Sequence, residues 1–191
     1  MLATLYSWIA RALLALIGWK LYGEKPAVPK AVIAGAPHTS NFDGVLMMLV
    51  VFSLKIRLKW LVKDNLYRFP LSIFLKLMGA IPINRRTSQN AVSQAAAIFE
   101  KANELYLVLA PEGTRKRSEG WRTGFYYIAL EAKVPIYLAF ADYKRKVVGI
   151  GDRVDPSGDI EADMVPIKAF FESVTPKFPD QASEIKLASR K

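Results

Sequence analysis

The chain has 191 residues, 52% of them hydrophobic, enough for one well-packed core and too few for two ordinary domains. It has no cysteine and a single histidine, His38, which excludes disulfides, a thiol nucleophile, thiolate metal sites and clustered-histidine metal sites. Residues 1–151 hold 21 Lys+Arg against 9 Asp+Glu, whereas residues 152–191 hold 6 against 8; the basic body suits anionic headgroups and phosphorylated substrates, and with no groove-reading helix or RNA-stacking motif, nucleic acid is not expected.

In chain order, residues 2–19 are almost all apolar, with Arg11 at the middle. A charge there costs a spanning helix about 2.5–3.5 kcal/mol on insertion scales. Thr4, Ser7, Arg11, Ala15 and Gly18 recur at helical spacing, leaving a broad apolar surface that includes Trp8 and Trp19. This pattern predicts a retained helix lying in a membrane interface over residues 1–23, with a core helix of a soluble domain as the alternative. The mean hydropathy of +0.15 fits a protein resting on a membrane.

After a proline-punctuated linker at 25–30, residues 31–36 read as a buried strand ended by Pro37. A loop at 38–43 leads into an apolar helix over 43–54, which Ser40 or Asn41 can cap. Residues 55–60 alternate charged and apolar side chains, the period of a half-exposed strand. A helix over 65–78 is interrupted near Pro70, 79–86 form a short strand into a basic loop, and 88–103 form an alanine-rich amphipathic helix. Residues 106–110 are a further buried strand, stopped by a turn at 111–115 and a polar loop at 116–119. A helix over 121–133, strands over 134–140 and 146–150, an acidic loop, a short helix near 165–174 and a polar tail complete the chain. Strands alternating with helices imply an α/β sheet. The expected organisation is an interfacial helix over 1–23, one domain over 28–175 and a polar tail over 176–191.

Two constellations carry chemistry. His38 stands at a strand's carboxyl end with Asp43 five residues on at a helix start; a helix N-terminus favours the ionised carboxylate, which can hold the imidazole tautomer whose other nitrogen accepts a proton. Without a G-x-S-x-G elbow, the nucleophile is better supplied by a substrate hydroxyl. Glu112, Gly113, Thr114 and Arg115 gather a guanidinium, a hydroxyl and turn amides, suitable for a phosphate, and Arg85 at another strand end can join them. Each arrangement taken alone also fits a helix cap or an ordinary basic turn.

Together these residues resemble a known family. Pro37-His38-Thr39-Ser40-Asn41-Phe42-Asp43 is similar to the H-x-x-x-x-D motif of the glycerolipid and lysophospholipid acyltransferases, typified by the 1-acylglycerol-3-phosphate type. Residues 79–85, 111–115 and 134–136 resemble that family's second, third and fourth blocks in the same order, and the resemblance covers roughly residues 28–150. It implies a mixed central β-sheet wrapped by helices, with His38 as general base, Asp43 as its support, and Arg85, Glu112, Gly113, Thr114 and Arg115 on the acceptor.

The implied reaction is O-acyl transfer from acyl-CoA or acyl carrier protein (acyl-ACP) to a lysophospholipid-like hydroxyl, with no metal or other cofactor. The implied setting is peripheral, at the cytoplasmic face of a membrane. Pro37 stands where members acylating lysophosphatidic acid carry asparagine, so the acceptor headgroup stays open. A catalytically silent lipid-binding protein and a thioester or ester hydrolase are the alternatives.

Overall fold

In the computed structural model, which describes residues 2–84 and 88–188, the alternating strands and helices fold as one α/β unit. Its elements are α1 (Leu2–Leu16), β1 (Lys20–Tyr22), β2 (Lys30–Gly35), α2 (Asn41–Ser53), β3 (Leu58–Lys63), α3 (Leu71–Leu77) and β4 (Ala80–Ile83). They are followed by α4 (Ser88–Lys101), β5 (Leu105–Leu109), α5 (Gly124–Ala132), β6 (Ile136–Asp142), β7 (Val147–Val154) and α6 (Ile160–Glu172). Among the described residues the strands form one seven-stranded sheet in the order β1-β7-β6-β2-β5-β3-β4. Every pair is parallel except β6 with β7, so the sheet is mixed as expected.

β2 sits at the centre because its residues are apolar on both faces. Val32 and Ala34 join one buried cluster and Ala31 and Ile33 the other, the period of a strand covered on both sides. The first cluster takes Ala95 and Phe99 from α4, Phe125, Tyr126, Ile128 and Ala129 from α5, and Met164, Ile167 and Phe171 from α6. The second takes Leu14 from α1 and Leu46, Val50 and Val51 from α2. Helices α4–α6 therefore cover one sheet face and α1 and α2 the other.

α1 meets the body of the protein along one narrow side, where Ser7 of the polar stripe is buried while Thr4, Arg11, Ala15 and Gly18 stay exposed. Ser7, Ala10 and Leu14 are buried, and burying a side chain the size of Leu14 contributes about 1.5–3 kcal/mol. Ser7 Oγ donates to Ser53 O at 2.7 Å, Arg11 reaches the same carbonyl at 3.4 Å, and Lys55 donates to Thr4 at 3.3 Å. The opposite side, with Leu5, Trp8, Ile9, Leu13 and Leu16, is exposed. Among the described residues no helix is long and apolar enough to cross a membrane.

Several boundaries differ from the sequence expectation for local reasons. The helix expected over 1–23 ends at Leu16, and residues 20–22 form an edge strand whose three residues pair with Val147–Gly149. The strand expected at 55–60 begins at Leu58, because α2 closes at Leu54 and Lys55 takes a left-handed φ of 55° to turn the chain. The helix expected over 65–78 divides into a 3-10 turn at Asp64–Leu66 and α3, with Pro70 between them lacking the N–H that a continuous helix needs. α6 starts at Ile160, where Asp159 caps it by accepting from Ala162 N at 3.1 Å. α5 starts at Gly124 because Trp121 is held in a strand-like bridge to Leu187: Trp121 N donates to Lys186 O at 2.7 Å and Ala188 N to Trp121 O at 2.9 Å. The polar tail thus returns to the body of the protein.

Candidate active site

The spacing from His38 to Asp43 is the spacing of a helix start. β2 ends beside β6, Pro37 stops the strand, and Ser40 becomes the N-cap of α2, its Oγ accepting from Phe42 N at 3.0 Å. Asp43 is then the third helical residue, placed to fold back on the cap as the acidic half of a capping box. Its Oδ2 accepts from Ser40 N at 2.8 Å and from Thr39 N at 2.9 Å, and lies 3.3 Å from His38 Nδ1. Its Oδ1 accepts from the Tyr143 hydroxyl at 2.6 Å.

Electrostatics follow from that crowding. Burial opposes the Asp43 charge, but the hydrogen bonds from His38, Tyr143 and Ser40 outweigh it and hold its pKa below the usual carboxylate value. Tyr143 is pushed the other way, first by burial and then by the carboxylate it serves, so it remains a donor. A carboxylate facing Nδ1 fixes the proton there and leaves Nε2 as the basic nitrogen. Among the described residues nothing hydrogen-bonds to Nε2, and the His38 side chain is 31% exposed.

The second loop follows β5. Gly113 N donates to Ala110 O at 3.0 Å, closing a turn in which Gly113 takes a φ of +66°. That left-handed backbone conformation favours glycine, and a Cβ there would also meet the Arg122 side chain, 2.8 Å from its Nε, and push it aside. Glu112 points inward and is only 2% exposed. Its Oε2 accepts from His38 N at 2.6 Å and its Oε1 from Ser183 N at 3.3 Å. Burial raises the Glu112 pKa, offset in part by those two amides. Arg115 donates to Asn41 Oδ1 at the start of α2, and Thr114 Oγ1 accepts from Lys116 N at 3.2 Å.

The structure therefore brings His38, Asp43, Glu112, Gly113, Thr114 and Arg115 to one sheet end, at the carboxyl termini of the adjacent strands β2 and β5. Arg85 lies outside the described residues. Glu112, expected on a substrate, is occupied by two backbone amides and ties the two loops together. Thr114 and Arg115 are the side chains of the turn that remain partly or fully exposed.

Four supports come from residues that sequence reasoning did not single out. Tyr143 follows β6, is held by its N–H on Thr175 O at 2.9 Å, and packs edge-on against Trp19 with ring centroids 4.9 Å apart. Ser183 binds Glu112 and also accepts from Ser118 N at 3.0 Å. Gln181, with its amide nitrogen turned inward, donates to Thr39 O at 3.1 Å and to Arg115 O at 3.0 Å, while Phe178 N donates to Thr39 Oγ1 at 3.3 Å. None of these contacts has a local signature, since each joins residues far apart in the chain.

A mixed α/β sheet with an imidazole–carboxylate pair and an adjoining basic turn at one end defines a class that comparison identifies. The family model described as Acyltransferase matches residues 20–138, more than half of the chain, and the protein belongs to that family. Among solved structures, the crystal structure of the 1-acyl-sn-glycerophosphate (LPA) acyltransferase PlsC from Thermotoga maritima is similar, with a TM-score of 0.59 at 13% sequence identity over 90% of this chain and 78% of that one. At that identity the likeness is one of fold. No curated protein matches the chain.

Proposed function

We propose that the protein transfers a fatty acyl group from a thioester carrier, acyl-CoA or acyl-ACP, to the hydroxyl of a lysophospholipid-like acceptor, with 1-acylglycerol-3-phosphate the first acceptor to test. The observation that carries this reading is the His38–Asp43 pair, 3.3 Å apart, in which an ionised carboxylate takes Nδ1 and, among the described residues, nothing takes Nε2 of the 31% exposed imidazole.

Nε2 takes the acceptor hydroxyl proton as the oxygen attacks the thioester carbonyl. The tetrahedral adduct then collapses, the carbon–sulfur bond breaks, and the thiolate leaves with the proton returned by His38. Asp43 stays ionised and favours the imidazolium formed between those steps. Arg115, the Thr114 hydroxyl and the turn amides are suited to the acceptor phosphate, and Arg85 is assigned to the same anion. No metal or redox cofactor has a role in this scheme.

The outward apolar side of α1 supports a peripheral, monotopic attachment, which we assign to the cytoplasmic face of a membrane. The test is release of free thiol from palmitoyl-CoA and palmitoyl-ACP by purified protein with a panel of lyso-lipids, comparing wild type with His38→Ala. Acceptor-dependent release lost in the variant is the expected result. Release that continues without acceptor means hydrolysis, and equal, negligible release from both proteins means a silent lipid-binding role.

A further inference from the structure

Among the described residues, most of the large apolar side chains left in solvent lie on one sheet face. In β3, Leu61 packs toward the cluster shared by α4–α6, whereas Leu58 packs toward that of α1 and α2. Trp60 and Val62 alternate in phase with Leu58 and meet Leu75 of α3. Helices α1, α2 and α3 therefore share one face. On the other, α4 and α5 expose no large apolar side chain among the described residues, and α6 exposes Val165.

The second concentration on the α1 side lies on α3 and its flanks. Phe69, Leu71, Ile73, Phe74, Leu77 and Met78 are all exposed, Phe69 and Leu77 at 82%, while Leu75 alone of α3 is buried. A seven-residue helix that buries one leucine and exposes its remaining apolar residues gains little from the core it covers. Cations surround it: Arg57, Lys63, Arg68 and Lys76 are exposed and, among the described residues, none is ion-paired, against one nearby acid, Asp64.

We propose that α3 and its preceding loop form a second docking surface for an anionic lipid bilayer, which acts with α1 to seat the whole α1–α3 face on the membrane. The inference rests on the membrane reading given for α1 and extends it to a separate element. Apolar side chains ringed by unpaired cations complement hydrocarbon beneath acidic headgroups. A second copy of this chain would bring the same cations face to face and is disfavoured for that reason. Two attachment elements on one face restrict tilt as well as distance, and the carboxyl end of β3, from which the α3 segment departs, is at the same sheet end as His38.

Because the chain has no cysteine, a single introduced thiol can carry an environment-sensitive nitrobenzoxadiazole label. Leu77→Cys reports on α3, Leu16→Cys on α1 and Val165→Cys on the opposite face, all at exposed positions. With vesicles of equal parts phosphatidylcholine and phosphatidylglycerol, labels at 77 and 16 should shift to the blue and the label at 165 should not. Combining Lys63→Gln, Arg68→Gln and Lys76→Gln should weaken vesicle binding by about fivefold per charge.

A label at 77 that stays in water while the label at 16 enters lipid overturns the proposal and leaves the α1 reading standing. If both stay in water, the α1 reading falls with it. A blue shift at 77 that grows with protein concentration without vesicles identifies a second copy as the occupant, and an equal shift at 165 means unspecific adsorption; either overturns the proposal.

Discussion

At the scale of single residues, the site is an arrangement for keeping one carboxylate charged and one imidazole nitrogen free. His38→Ala removes the proposed base and should lower kcat by about 10²–10⁴-fold, the usual contribution of general base catalysis, as measured by thiol release. Tyr143→Phe deletes one hydrogen bond from Asp43 and no bulk. Since that bond favours the ionised form, the Asp43 pKa should rise in the variant, as read by NMR titration of its carboxyl carbon. A role confined to packing would leave that titration where it is. The stability linkage has the same sign. Asp43 titrates below the unfolded carboxyl, whose pKa is about 3.9, so its stabilisation is fully present above that unfolded value and is lost as pH falls through the folded one. Glu112, raised by burial, runs oppositely: its contribution is complete below the unfolded value and is lost as pH rises through the folded one. Glu112→Ala orphans the amides of His38 and Ser183, at a cost of about 1–3 kcal/mol for each buried group left unpaired. A fall in Tm of about 2–4 °C per kcal/mol is expected by thermal melt. His38 and Asp43 were legible because a capping box writes its geometry within a few residues. Tyr143, a hundred positions from Asp43, and Ser183, 71 from Glu112, leave no such trace.

At the scale of elements, the buried strands and most helices were legible from period and punctuation. What misled was the N-terminal segment, where a three-residue edge strand follows the helix without any change in composition. Residues 2–22 therefore hold more than a helix with an exposed apolar side: they include β1 and Trp19, which backs Tyr143. Deleting them should lower the melting temperature and activity as well as vesicle binding. Combining Trp8→Ser with Leu16→Ser, both on the outward side of α1, should weaken vesicle sedimentation while leaving the melt unchanged. Joint loss of fold and binding in that double variant would show that the outward face of α1 supports the structure itself. The boundary of β3 was missed for another reason: a left-handed lysine ends α2, and nothing in lysine's chemistry announces that conformation.

At the scale of the whole molecule, the net charge of +10 and the one-sided apolar layer combine. Association with anionic vesicles should weaken as salt is raised toward a Debye length of about 3 Å at 1 M, leaving the hydrophobic part behind; binding that does not change with salt would remove electrostatics from the account. The doubly covered sheet was legible as a class from its alternating elements, but its strand order was not, because order depends on which faces meet after folding.

The return of the tail to the two loops has a consequence for how the protein comes into being. The family match ends at residue 138, yet Glu112 and the backbone of Arg115 receive partners from Ser183 and Gln181. During vectorial synthesis the sheet centre and both motif loops leave the ribosome well before those partners do. A nascent chain can therefore have both motif loops outside the ribosome while its site is still unclamped. Completion of the site then waits for residues 178–183, and a recombinant fragment trimmed to the family boundaries should fold poorly or stand idle for want of Gln181 and Ser183.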